Sequence, residues 1–307
     1  MNVELRGDFT GIGRLVAAIA GVALLLAVQG IARGGAQQAV RDGKKVDEHT
    51  PAVTDGYFAW TQNSKDHQKR FNAYVKPESE ERYRVNKRRT DAYAGGFSGT
   101  TLVYQEVENG RSDLKFWDLT TEDRSDAPSE VNTKKRWEWS PSLSGDWLLF
   151  GRITNDDKWH AYLFNLATDE EIHLAKASGQ KSVTADQVNG DYAVWTKCSP
   201  TCNVFRYQIS TGTRMKVPNP KDKFQYSASV TSTGDVYFGR SGPTCGTSVK
   251  LRHYSPDGDT ETLVEFNKGV DFDSSHAFET DAGVEVYYER VDCDTVKWDI
   301  YKVLDSP

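Results

Sequence analysis

The chain has 307 residues, 37% hydrophobic, 11% aromatic and 27% charged, with a formal net charge of -6. A mean hydropathy of -0.63 excludes a polytopic membrane protein, and the aromatic content excludes a disordered chain. The acidic balance argues against nucleic acid as a partner, since phosphate binding needs an extended basic surface and no long Lys/Arg stripe is visible beyond short runs such as Lys87, Arg88, Arg89.

In chain order, the first segment is an export signal. Arg6 and Arg14 precede an apolar run from Leu15 to Val28, and Gly34 and Ala36 then stand at the -3 and -1 places of a small-x-small cleavage site. Extended to Ala32 the run reaches 18 residues, enough for a membrane helix, so an uncleaved anchor is the alternative. Residues 1–36 are therefore expected to be a signal peptide or signal anchor helix and 37–307 an exported domain. The domain would be periplasmic, cell-surface or secreted, touching a membrane only through an uncleaved N-terminal segment.

From here the sequence repeats. Six small turns end in glycine and lead into an alternating apolar strand: Gly56 before YFAWTQ, Gly99 before TTLVYQE, Gly145 before DWLLFGR, Gly190 before DYAVWTK, Gly234 before DVYFGRS and Gly283 before VEVYYER. The glycines are 43, 46, 45, 44 and 49 residues apart. A second strand, rich in aromatic and β-branched residues at period two, follows each one over 70–76, 113–121, 160–168, 203–211, 249–255 and 297–303. Third runs follow at 171–175, 214–218 and 260–266, and one more extended stretch precedes each glycine, such as 136–144. The mixed-charge run 78–89 is expected to be an exposed outer strand with its turn. Four antiparallel strands per 40 to 50 residues is the arithmetic of a propeller blade, so the chain is expected to be all-β, a six-bladed β-propeller with repeats at about 47–89, 90–135, 136–180, 181–223, 224–270 and 271–307. The last repeat runs short, and the segment from Val40 to Asp47 is expected to supply its missing outer strand.

The run WSPSLSGDWLLF from Trp139 to Phe150 resembles the W-S-P-D-G-x-x-I-A-F core of the TolB-type propeller repeat, and Ala161 to Leu166 is similar to its I-Y-x-x-D-L strand. The resemblance covers about 47–303. It implies an extracytoplasmic six-bladed propeller of the TolB or WD-repeat-like kind, without the α/β domain that TolB carries ahead of its blades.

All four cysteines fall in loops between second and third strands of the last three blades. An even count in an exported chain points to disulfides, and Cys198–Cys202 within one hairpin and Cys245–Cys293 between equivalent loops of adjacent blades are the favoured pairs. No histidine pair stands beside them at ligand spacing, so neither metal nor cofactor is expected. Asp257, Asp259 and Glu261 space oxygens two apart but lack the rest of a calcium loop and read as a hairpin turn; Asn155, Asp156 and Asp157 read as a loop tip.

No nucleophile elbow, zinc-protease helix, P-loop or dinucleotide fingerprint is present. Aligned on their glycines, two blades that meet when the ring closes carry His49 and His276, each seven residues before its glycine. Nearby in the innermost strands fall Asp91, Tyr93, Arg136, Trp137, Glu138, Lys181, Tyr226 and Asp273. This constellation makes the channel mouth a candidate pocket for an envelope protein, peptide or glycan. The expected function is a monomeric, non-catalytic binding or scaffold propeller. The alternative is a channel-mouth polysaccharide lyase or hydrolase using His49 or His276 with Glu138 as acid and base.

Overall fold

A computed structural model describes residues 35–43, 46–64, 67–134, 136–154, 158–179 and 181–306. They form six four-stranded antiparallel sheets arranged as a propeller. The expected signal or anchor helix, and the loop tip at 155–157, lie outside the described residues. Among those described, no helix is long and apolar enough to cross a membrane.

The chain enters through β1 (Gln38–Arg41). The first blade is β2 (Val46–Thr54), β3 (Tyr57–Ser64), β4 (His67–Pro77) and β5 (Tyr83–Arg84), counted outward from the channel. The second is β6 (Asp91–Ser98), β7 (Thr101–Glu108), β8 (Arg111–Asp118) and β9 (Arg124–Asp126). The third is β10 (Trp137–Ser144), β11 (Trp147–Ile153), β12 (Trp159–Asn165) and β13 (Glu171–Ala177). The fourth is β14 (Ser182–Asn189), β15 (Tyr192–Cys198), β16 (Cys202–Gln208) and β17 (Thr213–Lys216), and the fifth β18 (Phe224–Val230), β19 (Val236–Ser241), β20 (Lys250–Tyr254) and β21 (Thr260–Glu265). The sixth holds β22 (Val270–Thr280), β23 (Gly283–Asp292) and β24 (Lys297–Asp305), with β1 as its outermost strand.

The repeated glycines have a backbone reason. All six turn the innermost strand into the next with positive φ, from 54° at Gly190 to 129° at Gly283, a region costly for side-chain-bearing residues. Four or five residues beyond each one sits a fully buried ring: Trp60, Tyr104, Phe150, Trp195, Phe238 and Tyr288. Burying such a ring stabilises the fold by roughly 2–3 kcal/mol. The cores lie between neighbouring blades. Leu149 and Leu163 of the third blade, for example, pack on Val183, Ala185 and Val188 of the fourth.

The third strands of three blades, β8, β12 and β16, stop three residues earlier than their residue pattern suggests. Asp118 Oδ1 accepts the N–H groups of Thr120 and Thr121 at 2.7 and 3.0 Å, and Asn165 Oδ1 those of Ala167 and Thr168 at 2.9 and 3.1 Å. Asp191 takes the Ser210 N–H at 2.7 Å in the fourth blade. These side chains draw the backbone into turns while the apolar alternation still reads as strand. The run 78–89 is likewise not an exposed strand throughout, since β5 covers two residues. Val85 packs in the core between the first two blades, and buried Asn86 accepts the Ala73 N–H at 3.2 Å while donating to the Thr90 carbonyl at 3.1 Å.

The ring closes where expected but with shifted bounds. Strand β1 pairs antiparallel with β24, whereas Val46 and Asp47 already belong to β2. Arg41 at the end of β1 lies 4.4 Å over the Trp60 ring and 3.3 Å from Glu48, so one residue ties the sixth blade to the first.

Candidate functional site

Every innermost strand carries one bulge. Pairing with the second strand skips a residue between His49 and Ala52, Ala94 and Phe97, Trp139 and Ser142, Ala185 and Gln187, Tyr226 and Ser229, and Asp273 and Ser275. Four bulges place a non-glycine residue at positive φ: Thr50 (46°), Ser140 (48°), Ser227 (55°) and Ser274 (27°). Gly95 occupies the second blade's bulge because a Cβ there would stand 2.4 Å from the Pro141 carbonyl oxygen. Bulges re-aim backbone and side chains, and here the freed groups reach across to the next blade. Ser140 Oγ donates to the Ala185 carbonyl at 2.7 Å, the Ala228 N–H to Asp186 Oδ2 at 3.3 Å, Ser227 Oγ to Asp273 Oδ1 at 2.7 Å, and the Thr50 N–H to Glu289 Oε1 at 2.6 Å.

Beyond this belt a bar crosses the channel. The Gln187 side chain accepts the N–H groups of Val230 and Ala277 on Oε1 at 3.0 and 3.2 Å, and its Nε2 donates to the Ala277 backbone carbonyl and toward His276 Nδ1. His276 donates from Nε2 to the Val53 carbonyl at 3.0 Å, which fixes Nδ1 as the acceptor. Burial depresses its pKa to about 4 although the Val53 bond opposes this, so the imidazole is neutral at neutral pH.

On the other side of the belt lies a cavity of about 760 Å³. It opens on the face where innermost strands begin and second and third strands meet, which is also the face of both disulfides. Cys198 pairs with Cys202, and Cys245 with Cys293. Its walls are aromatic: Phe71 and Tyr93 stand with centroids 4.9 Å apart, Trp139 and Trp159 meet edge to face at 5.2 Å, and Trp137 and Trp298 complete the ring.

The floor is acidic. Burial pushes the Asp186 carboxyl up to about 8, against hydrogen bonds from Thr196 and the Ala228 N–H and with a further push from Asp273. Burial and the Glu289 charge raise Asp273 to about 6, opposed by Ser227, Ser274 and His49. His49 Nδ1 lies 3.3 Å from Glu289 Oε2. Burial disfavours its charge, but Glu289, Asp47 and Asp273 outweigh that and hold the imidazole above its ordinary value.

Of the residues singled out by sequence, His49, Asp91, Tyr93, Trp137, Asp273 and His276 line this cavity. Arg136 and Lys181 are exposed outside its lining. Tyr226 turns to the seam of blades five and six, donating to Asp271 Oδ1 at 2.7 Å. Glu138 is fully buried and bound by Arg152 Nε at 3.1 Å and the Thr133 hydroxyl at 2.9 Å, so it is not brought together with either histidine. His49 and His276 are also not equivalent. His49 directly precedes its bulge and pairs with Thr61; in the sixth blade that place belongs to Asp273, while His276 lies past the bulge and pairs with Tyr287. Counting back from the glycine misplaces them because the strand between bulge and turn differs in length.

Sequence reasoning missed Asp186, Glu289, Phe71, Trp139, Trp159 and Trp298. A signal existed for three: Phe71, Trp159 and Trp298 each stand near the start of a second-run strand, where side chains face the mouth. Away from the cavity, His253, Glu261 and Asp305 bring ligand-type atoms within 4.8 Å of one another. Burial disfavours charge on His253, but Asp235 at 2.8 Å and Glu261 at 3.2 Å outweigh it and raise its pKa, which marks an ion cluster tying blade five to the end of β24. The acidic turn at Asp257 and Asp259 is a hairpin closed by Ser255 backbone hydrogen bonds.

No family model matches the sequence, and no curated protein does. Solved structures share the fold. TolB from Acinetobacter baumannii superposes with a TM-score of 0.53 at 13% identity, covering 85% of this chain and 80% of that one. A putative TolB from Agrobacterium tumefaciens gives 0.55 at 12%, covering 88% and 99%, and an oligogalacturonate lyase in complex with manganese gives 0.52 at 11%, covering 89% and 98%. At such identities the likeness establishes a TolB-like six-bladed architecture, which hosts binding proteins and enzymes alike.

Proposed function

We propose that this chain is an exported, non-catalytic binding propeller that seats an envelope protein, peptide or glycan in its mouth cavity. The observation that carries the reading is the cavity itself: six aromatic side chains around an acidic floor, held by a belt of inter-blade hydrogen bonds and stiffened by two disulfides on the same face. Disulfides fit an oxidising compartment and agree with the export signal read at the N-terminus. The acid–base pair of the enzymatic alternative finds little support, because Glu138 is committed to Arg152 and His276 to the channel bar.

The test is affinity capture from the cell envelope with residues 37–307, in parallel with a Trp137→Ala, Trp298→Ala variant of the same protein. A specific catch lost in the folded variant supports the mouth. A catch that persists moves the interface to the rim or sides. A second reading keeps chemistry at the mouth but assigns it to Asp186 and Asp273, two carboxyls held nearer neutrality than usual over one cavity. Turnover of an envelope polysaccharide, abolished by Asp273→Asn, would establish it.

A further inference from the structure

We propose that the mouth cavity recognises a hydrogen-bonding organic cation on an apolar stem, as a lysine or arginine side chain of a partner peptide presents. The inference rests on the mouth being the binding site and names what that site takes.

The first support is charge. Among the described residues, the lining carries the carboxyl groups of Asp91, Asp186, Asp273 and Glu289, and no lysine or arginine. Its two imidazoles do not supply a free positive charge, since His49 is paired to Glu289 and His276 is neutral in the bar. The second is unused acceptor capacity. Asp91 Oδ1 accepts the Phe71 N–H at 3.0 Å, Asp186 Oδ2 the Thr196 hydroxyl at 2.7 Å, and Asp273 Oδ1 the Ser227 hydroxyl at 2.7 Å. The other oxygen of each accepts no hydrogen bond from the described residues, and a carboxylate has room for several. An ammonium or guanidinium donates several hydrogen bonds and answers that arrangement.

The third is the wall. Four of the chain's 8 tryptophans, Trp137, Trp139, Trp159 and Trp298, surround this one cavity with Phe71 and Tyr93. Indole faces attract cations and pack on the methylene stem that carries them. A neutral sugar would use the rings and leave the floor unanswered; an anion would be repelled by it. Carboxyls crowded this way resist ionisation when the cavity is empty, so a bound cation draws protons off them, and affinity rises between pH 5.5 and 8. The charged and titratable neighbours of Asp186 and Asp273 in this response are each other, Glu289 and His49.

The test titrates the intact exported chain with Ac-Gly-Arg-Gly-NH2 and Ac-Gly-Lys-Gly-NH2 against the citrulline and norleucine versions, and with chitotriose and trigalacturonate. Tryptophan fluorescence and calorimetry are the readouts. The cationic peptides are expected to bind about tenfold or more tightly than their neutral counterparts, more weakly with added salt and at low pH. In an Asp91→Asn, Asp273→Asn variant, which keeps both accepting oxygens, the preference is expected to shrink to about twofold with the fold unchanged by circular dichroism. Equal binding of arginine and citrulline peptides overturns the inference, as does failure of every probe at millimolar concentration. Chitotriose binding that is lost on Trp139→Ala overturns the cation while leaving the mouth as the binding site. Envelope capture indifferent to the mouth variants removes both.

Discussion

Asp186 is the single extra residue in the bulge of β14, and its carboxyl meets Thr196 of β15, the Ala228 N–H of β18 and the charge of Asp273 on β22. A carboxyl whose folded-state pKa is raised binds its proton more tightly in the native state than in the unfolded chain. Native stability from this group is therefore complete near pH 4 and declines as pH climbs toward about 8. Asp186→Asn removes that titration while keeping an accepting oxygen. Urea midpoints of the variant are expected to exceed those of the parent at pH 8.5 and to converge with them near pH 4.5; a pH-independent difference would show that the carboxyl is not held protonated. Glu138 teaches the converse at the same scale. Its alternation along β10 and its neighbours Arg136 and Trp137 look like a mouth, yet the Arg152 guanidinium, itself 2% exposed and 4.8 Å over the Tyr162 ring, takes it into the seam between blades. The two residues face each other across the β10–β11 hairpin, and what alternation does not reveal is that this pair is turned into the seam rather than the mouth.

Strands, turns and staples carry the next level. The glycine turns and buried rings recur because every blade needs the same tight reversal and the same filling between sheets, and so they are legible at a fixed spacing. The bulges are not, because one extra residue leaves no compositional mark: the second blade uses Gly95 and Gly96, the third Ser140 and Pro141, the fourth Asp186 alone. That difference made His49 and His276 look equivalent. The disulfides were readable from loop position, and they differ in what they restrain. Cys245–Cys293 joins residues 48 apart in two blades, whereas Cys198–Cys202 closes a separation of 4 within one hairpin. From the entropy of the unfolded loop alone, replacing both cysteines by serine is expected to cost about 4 kcal/mol for the first pair and about 2 kcal/mol for the second. Chemical denaturation of the two double variants checks the order, and a larger loss from the short bridge would show that strain or solvation governs instead.

For the whole molecule the decisive contact is between the two ends of the ring. Strand β1 covers the outer edge of β24, Gln37 accepts the Tyr288 hydroxyl hydrogen at 2.7 Å, and Arg41 pairs with Glu48, which is 1% exposed. Starting the chain at Val46 bares a strand edge and strands a buried carboxylate, so a loss of about 3 kcal/mol or more and a tendency to self-associate are expected. Hydrogen exchange on the intact protein gives the complementary check: amides of Ala39 and Arg41 should be protected alongside those of β24. Rapid exchange there with a protected core would mean that the ring closes by another device.

The residue pattern by itself determined the number of blades, the strand order within each and the glycine turns, because these are local requirements repeated at nearly constant spacing, and the cysteine pairing followed from loop position within that repeat. Only the tertiary structure decided which polar side chains share a cavity. Asp186, Asp273, Glu289 and His49 come from three blades and up to 240 positions apart, and they meet because six bulges fall on one level when the ring shuts. A sequence records periods along the chain; a site assembled across the axis depends on closure, and on the register shifts that aim each side chain, neither of which leaves a period to read.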